Sequence, residues 1–194
     1  MVLCCNDAET SSVLTKARHK VLQRYFSAED TARHECVNGF AILLKSVPTA
    51  FRTIYHIFSD QELLKTVRHH VKTITTVKED DGKTIRVTDL ARLEDIPILA
   101  SIVHESLRFR ITGVGPRMAM EDVMLSNRYL IKKGCYFMIP GHEMHFDQQI
   151  WGDTTNTFDA QRFMKADAKK VPSAAFRGFG GGVNLCPGQE LCNG

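Results

Sequence analysis

Residues 176–189 read FRGFGGGVNLCPGQ, and this stretch decides how the rest of the sequence is interpreted. The last of three consecutive glycines stands four residues before a single cysteine, Cys186. Such a loop could bind phosphate, contribute half of a zinc site or present a thiolate to a metal. The spacing argues against phosphate, because no lysine follows the glycines as in a P-loop. The dinucleotide pattern G-x-G-x-x-G, counted from Gly180, fails at Leu185.

A zinc site at this loop would pair Cys186 with Cys192. Cysteine ligands of structural zinc are typically separated by about two to four residues. Five residues separate these two cysteines, and no histidine follows them. The spacing therefore argues against zinc, which is kept as an alternative.

The third possibility agrees with the positions of Phe179, Gly182, Cys186 and Gly188, which follow the spacing F-x-x-G-x-x-x-C-x-G. This spacing resembles the haem-binding signature of the cytochrome P450 family. The resemblance implies that Cys186 is the axial iron ligand of haem b. Glycines allow the tight backbone path of such a loop, and a thiolate ligand favours O–O cleavage. A glycine-rich turn around an inert cysteine is the alternative that this motif alone leaves open.

Two further motifs stand in the order that the family has. In HESLRF, Glu105 and Arg108 are three residues apart and so share one face of a predicted helix. Apolar neighbours favour burial of this pair over an ordinary surface ion pair, and a buried arginine needs fixed partners. In FDAQRF, Arg162 lies 24 residues before Cys186. The resemblance implies that Arg162 joins Glu105 and Arg108 in one network.

The haem propionates are assigned by resemblance as well. Arg117, in GVGPRMAMEDV, stands where the family often places a propionate-binding arginine. A solvated charge at a strand end is the alternative. Asn184 occupies the position two residues before the cysteine, where the family usually has arginine or histidine. Asparagine donates a hydrogen bond but carries no charge, so one propionate contact is expected to fall to another residue.

The apolar periodicity predicts a long helix over residues 28–58, with Pro48 expected to kink it near Leu44. Most family members carry an acid–alcohol pair midway along this helix, and here Ser46 is the one weak alcohol candidate, with no acid beside it. A proline at this turn resembles the branch that contains prostacyclin synthase and the sterol 7α- and 12α-hydroxylases. The missing pair leaves hydroxylation and isomerisation both open.

Weaker patterns predict the remaining elements. A capping box at residues 59–62 opens a second helix with an apolar face, and a third helix runs from near Asp95 to about Phe109. The stretch NRYLIKKGCYFMIP predicts a hairpin around residues 133–134, and irregular chain follows Pro140. The histidines at positions 69, 70, 142 and 145 are interpreted as surface or capping residues. The predicted fold is therefore mainly α with a small β component, the carboxy-terminal part of the cytochrome P450 fold.

Composition places bounds on function. The 194 residues carry a net charge of +3 without a concentrated basic patch, which argues against nucleic-acid binding. Six irregularly spaced cysteines favour a reducing compartment. The sequence shows no transmembrane run and no signal peptide. Residues 1–27 are predicted to be a partly disordered amino-terminal segment, as are parts of residues 164–175.

The resemblance implies that residues 28–194 are a partial haem-thiolate domain, expected to be truncated at both ends and inactive when isolated. Its parent enzyme would be a monooxygenase of the endoplasmic reticulum membrane. That enzyme would take electrons from an NADPH-dependent reductase and insert one atom of O2 into an apolar, sterol-like or lipid-like substrate. A non-catalytic fragment or pseudo-enzyme without haem, and a haem-thiolate isomerase or dehydratase, are the alternatives.

Overall fold

The computed structural model describes residues 12–80, 83–164, 171–182 and 185–186. The chain divides into two compact units, Met1–Phe51 and Arg52–Gly194. Helices account for most of the described residues, and the short strands among these residues lie within 75–140. This is the mainly helical fold with a small β component that the sequence predicts.

The first unit contains helix α1, Val13–Leu22, within the segment that the sequence predicts to be partly disordered. The helix begins at Ser12, whose hydroxyl accepts a hydrogen bond from the Thr15 amide at 3.2 Å. Arg18 on α1 donates side-chain hydrogen bonds to Glu35 on helix α2, Ala28–Ser59. These hydrogen bonds hold the pKa of Glu35 below its ordinary value.

Helix α2 confirms the predicted long helix and continues without interruption through Pro48. Because proline has no N–H, the Leu44 carbonyl lacks its usual intrahelical donor. One residue after the proline, the Thr49 hydroxyl donates to the Lys45 carbonyl at 2.7 Å. The bend at Pro48 stays a prediction.

The core of the second unit is built by the end of α2, by helix α3, Gln61–Thr73, and by helix α4, Pro97–Arg110. The N-cap of α3 is Asp60, not Ser59, because the Asp60 carboxylate accepts from two backbone amides of the first turn. The predicted capping box is therefore wrong, since Ser59 is the last residue of α2. The buried core is aliphatic and consists of Ile57, Leu64, Val67, Ile74, Ile96, Ile98 and Ile102.

Between α3 and α4 lies an antiparallel hairpin of β1, Thr75–Asp80, and β2, Lys83–Thr88. Sequence analysis assigned no strand to this polar stretch. Most of the β2 side chains are exposed, so burial does not alternate along this strand. A 3-10 helix at Leu90–Asp95 then leads into α4.

Four strands follow α4: β3 is Val114–Met118, β4 is Val123–Leu125, β5 is Tyr129–Ile131 and β6 is Tyr136–Pro140. β3 pairs with β6, and β4 pairs with β5 in a separate two-stranded sheet. The predicted hairpin between residues 129–131 and 136–140 is therefore wrong. The turn around Gly134 instead bonds back to Ala119, through Gly134 N–H to the Ala119 carbonyl at 2.8 Å.

The segment after β6, predicted to be irregular, contains two short helices: α5, Gly141–His145, and α6, Gln148–Trp151. Single 3-10 turns follow at Arg162–Met164 and Ser173–Ala175, the latter inside a stretch that the sequence predicts to be partly disordered. Gly141 is required where α5 meets β3, because a Cβ there would lie 2.7 Å from the Gly113 carbonyl oxygen. Among the described residues, no helix combines the length and apolar character that a membrane span requires.

Candidate functional site

The glycine-rich loop leads to an exposed thiol. Gly180 and Gly182 have φ angles of 84° and 80°, in the left-handed region that glycine adopts without steric cost. The Cys186 amide donates to the Phe179 carbonyl at 3.0 Å and closes the loop. Cys186 is a free cysteine with an exposed side chain. The predicted haem-loop residues Asn184 and Gly188 lie outside the described residues.

Aromatic contacts connect this loop to the rest of the second unit. The Phe179 ring lies 6.1 Å from the ring of His104 on α4 and 6.3 Å from the ring of Phe176. Phe176 also contacts His104 and Phe163, at ring separations of 5.5 and 5.3 Å. The loop is therefore anchored by a small cluster of rings next to α4.

The structure brings Glu105, Arg108 and Arg162 together in a buried network. Arg108 donates to both carboxylate oxygens of Glu105, at 2.7 and 2.8 Å. The Arg162 Nε lies 3.0 and 3.1 Å from the same two oxygens. Glu105 and Arg108 are completely buried, and Arg162 is 7% exposed. One carboxylate therefore serves two guanidinium groups, with the Asp159 amide as a further donor at 3.1 Å.

Backbone carbonyls and the Thr154 hydroxyl accept hydrogen bonds from the remaining guanidinium nitrogens of the two arginines. Arg108 donates to the carbonyls of His145 and Thr155, at 2.5 and 3.0 Å. Arg162 donates to the carbonyls of Thr154 and Thr157, at 2.8 and 3.0 Å. Buried charges are tolerated only when they are paired and hydrogen-bonded, and both arginines meet this condition. The network thereby fixes the chain after α5 against helix α4.

His145 is completely buried, so its interpretation as a surface or capping histidine is wrong. Its Nδ1 lies 3.0 Å from the Arg108 carbonyl oxygen, and its Nε2 accepts from the Arg177 amide at 2.8 Å. Its pKa is lowered to about 4, chiefly by burial; the hydrogen bond to the Arg108 carbonyl opposes this shift, and the charges of Arg108, His142 and Arg177 add to it. Both partners are more than 30 residues away in sequence, so no local pattern could have revealed this role.

Two arginines flank the glycine run. Arg117 on β3 is exposed and donates to the carbonyls of Pro116 and Gly181, at 2.8 and 3.4 Å. Arg177 was not predicted; its guanidinium lies so close to Gly181 that any side chain at that position would collide with it. The buried Nε of Arg177 has no hydrogen-bond partner among the described residues. These features fit a cofactor that takes a sulfur ligand and carries anionic groups at its edge. The exposed thiol is available as the ligand, and the two arginines, one of which has an unpaired donor, are available to the anionic groups.

The cytochrome P450 family model matches residues 20–193. The chain belongs to the cytochrome P450 family. Individual P450 relatives agree with this assignment. The chain is 31% identical over 197 aligned residues to the cytochrome P450 monooxygenase nodJ of Hypoxylon pulicicidum, an alignment that covers 96% of this chain and 38% of the relative.

Other relatives are similarly longer than this chain. It is 27% identical to cytochrome P450 7A1 of Oryctolagus cuniculus over 84% of its length, which is 36% of that protein. A bifunctional cytochrome P450/NADPH–P450 reductase of Gibberella moniliformis is 27% identical over 71% of this chain and 12% of its own length. The chain thus spans about a third of the length of single-domain P450 relatives.

Two further predicted positions bear on P450 chemistry. Ser46, the weak alcohol candidate, is exposed on α2 within the first unit, whereas Cys186 belongs to the second. The zinc alternative required Cys192, which lies outside the described residues. Within the described parts of the chain, no group of three or more metal-binding side chains converges.

Proposed function

We propose that residues 28–194 are a haem-thiolate domain of a monooxygenase. The observation that carries the proposal is the Cys186 thiol, which is free, exposed and presented by a loop with two left-handed glycines and a backbone closure to Phe179. The family membership and the names of the monooxygenase relatives support the same conclusion. The buried network around Glu105 gives this loop a rigid base.

The cofactor in this proposal is haem b. In this proposal Cys186 would supply the sulfur ligand to the iron, and Arg117 and Arg177 would bind the propionates through charge-assisted hydrogen bonds. Arg177 would make the propionate contact for which the uncharged Asn184 is less suited. The Nε of Arg177 is available for it, because that atom has no hydrogen-bond partner among the described residues. Phe179, Gly182, Asn184 and Gly188 complete the predicted haem loop. When bound, a haem with a thiolate ligand supplies activation of dioxygen and favours O–O cleavage.

In this proposal the residues of this chain position the Cys186 loop. The Glu105, Arg108 and Arg162 network holds α4 and the following chain in one arrangement, which keeps the loop and its thiol in place. Ring contacts of Phe179 with Phe176 and His104 anchor the loop to α4. Ser46 is the candidate for handling protons on α2. With no acid beside it, we expect a weak contribution.

The proposed substrate is apolar, in the sterol or lipid range, and is oxidised with O2. An NADPH-dependent reductase is the proposed electron donor, since the Gibberella moniliformis relative is named as a fusion of a P450 with such a reductase. We place the whole enzyme at the endoplasmic reticulum membrane. Pro48 and the missing acid next to Ser46 favour a second candidate, a haem-thiolate isomerase or dehydratase.

The test is a haem titration of the protein, followed by reduction under carbon monoxide. We expect the red-shifted Soret band of a thiolate-bound haem, which Cys186→Ser abolishes. The matched control is Cys135→Ser, because Cys135 is also free and exposed but lies directly before β6 and not in the glycine-rich loop. An unchanged band in Cys186→Ser would refute the assignment and make Cys192 the suspect ligand. Absence of any haem binding would favour the non-catalytic alternative.

A further inference from the structure

We propose that His145 is a positioning residue for the Cys186 loop, acting as a neutral hydrogen-bond bridge between the backbone of α4 and the backbone of Arg177. The proposal rests on the proposed function of that loop as a haem-thiolate ligand loop. Its basis is the pair of side-chain hydrogen bonds that join two segments far apart in sequence.

The two hydrogen bonds of the ring fix its protonation state. The Arg177 amide can only donate, so Nε2 must accept, at 2.8 Å. The Arg108 carbonyl can only accept, so Nδ1 must carry the proton, at 3.0 Å. A neutral imidazole with its hydrogen on Nδ1 satisfies both partners, whereas an imidazolium would place two N–H groups face to face at Arg177.

A short path of backbone hydrogen bonds leads from the bridge to the thiol. The Arg177 carbonyl accepts from the Gly180 amide at 3.2 Å. Gly180 follows Phe179, whose carbonyl accepts from the Cys186 amide at 3.0 Å. Because His145 holds the N–H of Arg177, it fixes the start of the turn whose far end is Cys186.

The other end of the bridge is attached to the buried network. Arg108, the arginine whose carbonyl receives the His145 Nδ1–H, also donates its guanidinium to the His145 carbonyl at 2.5 Å. The Thr155 hydroxyl donates to the same His145 carbonyl at 3.3 Å. His145 is thus held by Arg108 at both its backbone and its side chain, so the loop takes its position from the network.

Ring packing keeps the imidazole in this orientation. Phe176 stacks on it with a centroid separation of 5.6 Å and an interplanar angle of 22°. Trp151 meets it edge-on at 6.4 Å. The charged or titratable neighbours are Arg108 on α4, Arg177 on the loop and His142 on α5, and the charge of each disfavours the imidazolium, whereas the Arg108 carbonyl favours it by accepting the Nδ1 proton.

Two polar substitutions test the two hydrogen bonds of His145 one at a time. Asparagine places its amide near the position of Nδ1, so His145→Asn retains a donor for the Arg108 carbonyl but does not reach Arg177. Glutamine is longer, so His145→Gln retains an acceptor for the Arg177 amide. The matched control is His142→Asn, which changes an exposed histidine on the same short helix.

The primary measurement is amide hydrogen exchange resolved at Arg177, in the protein without and with added haemin. We expect His145→Asn to accelerate exchange at Arg177 by about tenfold, the effect of losing one buried hydrogen bond. His145→Gln should accelerate it less, and His142→Asn should leave it unchanged. Long-range nitrogen correlations of the imidazole should show the hydrogen on Nδ1. A hydrogen on Nε2, or unchanged exchange at Arg177 in His145→Asn, would overturn the proposal.

The second measurement is the rate of haem dissociation, which tests whether the His145 bridge affects the Cys186 loop. We expect faster haem dissociation from His145→Asn than from His145→Gln, with His142→Asn at the wild-type rate. If the wild-type protein binds haem through thiolate but His145→Asn retains both wild-type exchange and wild-type haem dissociation, the bridge fails and the proposed function stands. If the wild-type protein gives no thiolate-haem band, the proposed function fails, and exchange at Arg177 still decides whether the bridge exists.

Discussion

The Glu105 carboxylate is the centre of the buried charge network. It is completely buried and accepts hydrogen bonds from two guanidinium groups and one backbone amide. Removing charges from water is costly, and their attraction offsets that cost only when every donor and acceptor is paired. Each guanidinium nitrogen has a partner, because the surplus donors of Arg108 and Arg162 reach backbone carbonyls and the Thr154 hydroxyl. Loss of one partner would therefore leave the others buried and uncompensated.

The first prediction concerns Arg108. We expect Arg108→Ala to lower the free energy of unfolding by roughly 3–5 kcal/mol, because the Glu105 carboxylate stays buried with one cation fewer. Haem content should fall together with stability. The control is Arg110→Ala, which removes an exposed arginine from the same helix turn and should change stability by less than about 0.5 kcal/mol. Urea unfolding measures both variants, and equal stabilities would contradict the predicted role of the network.

The second prediction concerns the pH dependence that His145 confers. Its pKa is about 4 in the folded protein, against an ordinary value of 6.5, so the unfolded chain binds more protons between these values. Stability should therefore decrease as pH falls from about 6.5 towards 4, and the contribution of this group should be fully present above pH 6.5.

His145→Gln has no titrating group and should show a shallower decrease over the same window. Urea unfolding at several pH values between 4 and 7 provides the measurement. Parallel curves for wild type and His145→Gln would show that this histidine does not control acid sensitivity. His142→Asn serves as the control, because His142 is exposed.

At the scale of elements, the start of α3 is defined by a single carboxylate. Asp60 accepts from the amides of Glu62 and Leu63, at 2.9 and 3.1 Å, which have no intrahelical acceptors. The helix turns two aliphatic side chains, Leu64 and Val67, into the core. The cap therefore stabilises the first turn of a helix that contributes to the core.

The third prediction is that Asp60→Ala lowers the free energy of unfolding by about 1 kcal/mol, within a range of about 0.5–2 kcal/mol for such caps. Lys65→Ala is the control in the same turn of helix. It removes an exposed ion pair to Glu62 at 2.7 Å and should cost at most about 1 kcal/mol, and typically less. Thermal unfolding followed by circular dichroism compares the two, and a larger loss in Lys65→Ala would refute the capping assignment.

Elements with a strong apolar period were predictable from the sequence. The bounds of α2 and α4 agree with the predictions within a residue or two, because their periodicity and Pro97 are local signals. Strand pairing was not predictable. The turn after β4 uses Ser126 and Asn127, both at φ 52°, and pairs β4 with β5, whereas the more obvious glycine at position 134 turns the chain between sheets.

In the candidate site, too, some residues were predictable from the sequence and others were not. The motifs around Glu105, Arg162 and Cys186 have fixed residue types at fixed spacings, so the sequence contains them explicitly. His145 and Arg177 have no such local pattern. They meet only because α5 packs on α4 and the loop returns to both, and a contact across 32 residues depends on the complete fold.

At the scale of the whole molecule, the most unusual property is the exposed apolar surface of α2. Several large apolar side chains of this helix are more than half exposed: Phe40 66%, Leu43 62%, Leu44 59%, Val47 57%, Phe51 62%, Ile54 55% and Phe58 59%. Burial of one such side chain is worth about 1.5–3 kcal/mol. Exposed apolar side chains in such number promote association.

The last prediction is that the 194-residue chain, expressed by itself, associates through this face of α2. We expect low solubility, concentration-dependent oligomers in sedimentation and strong binding of a fluorescent apolar dye. The double variant Leu43→Gln/Val47→Gln should raise solubility and weaken dye binding without lowering the free energy of unfolding, because both side chains are already exposed. Ile102→Ala is the contrasting variant. Ile102 is completely buried, so its truncation should cost about 2–5 kcal/mol and should not improve solubility. If the double variant destabilises the chain as much as Ile102→Ala does, Leu43 and Val47 are buried in solution. The prediction that this face of α2 is exposed would then be wrong.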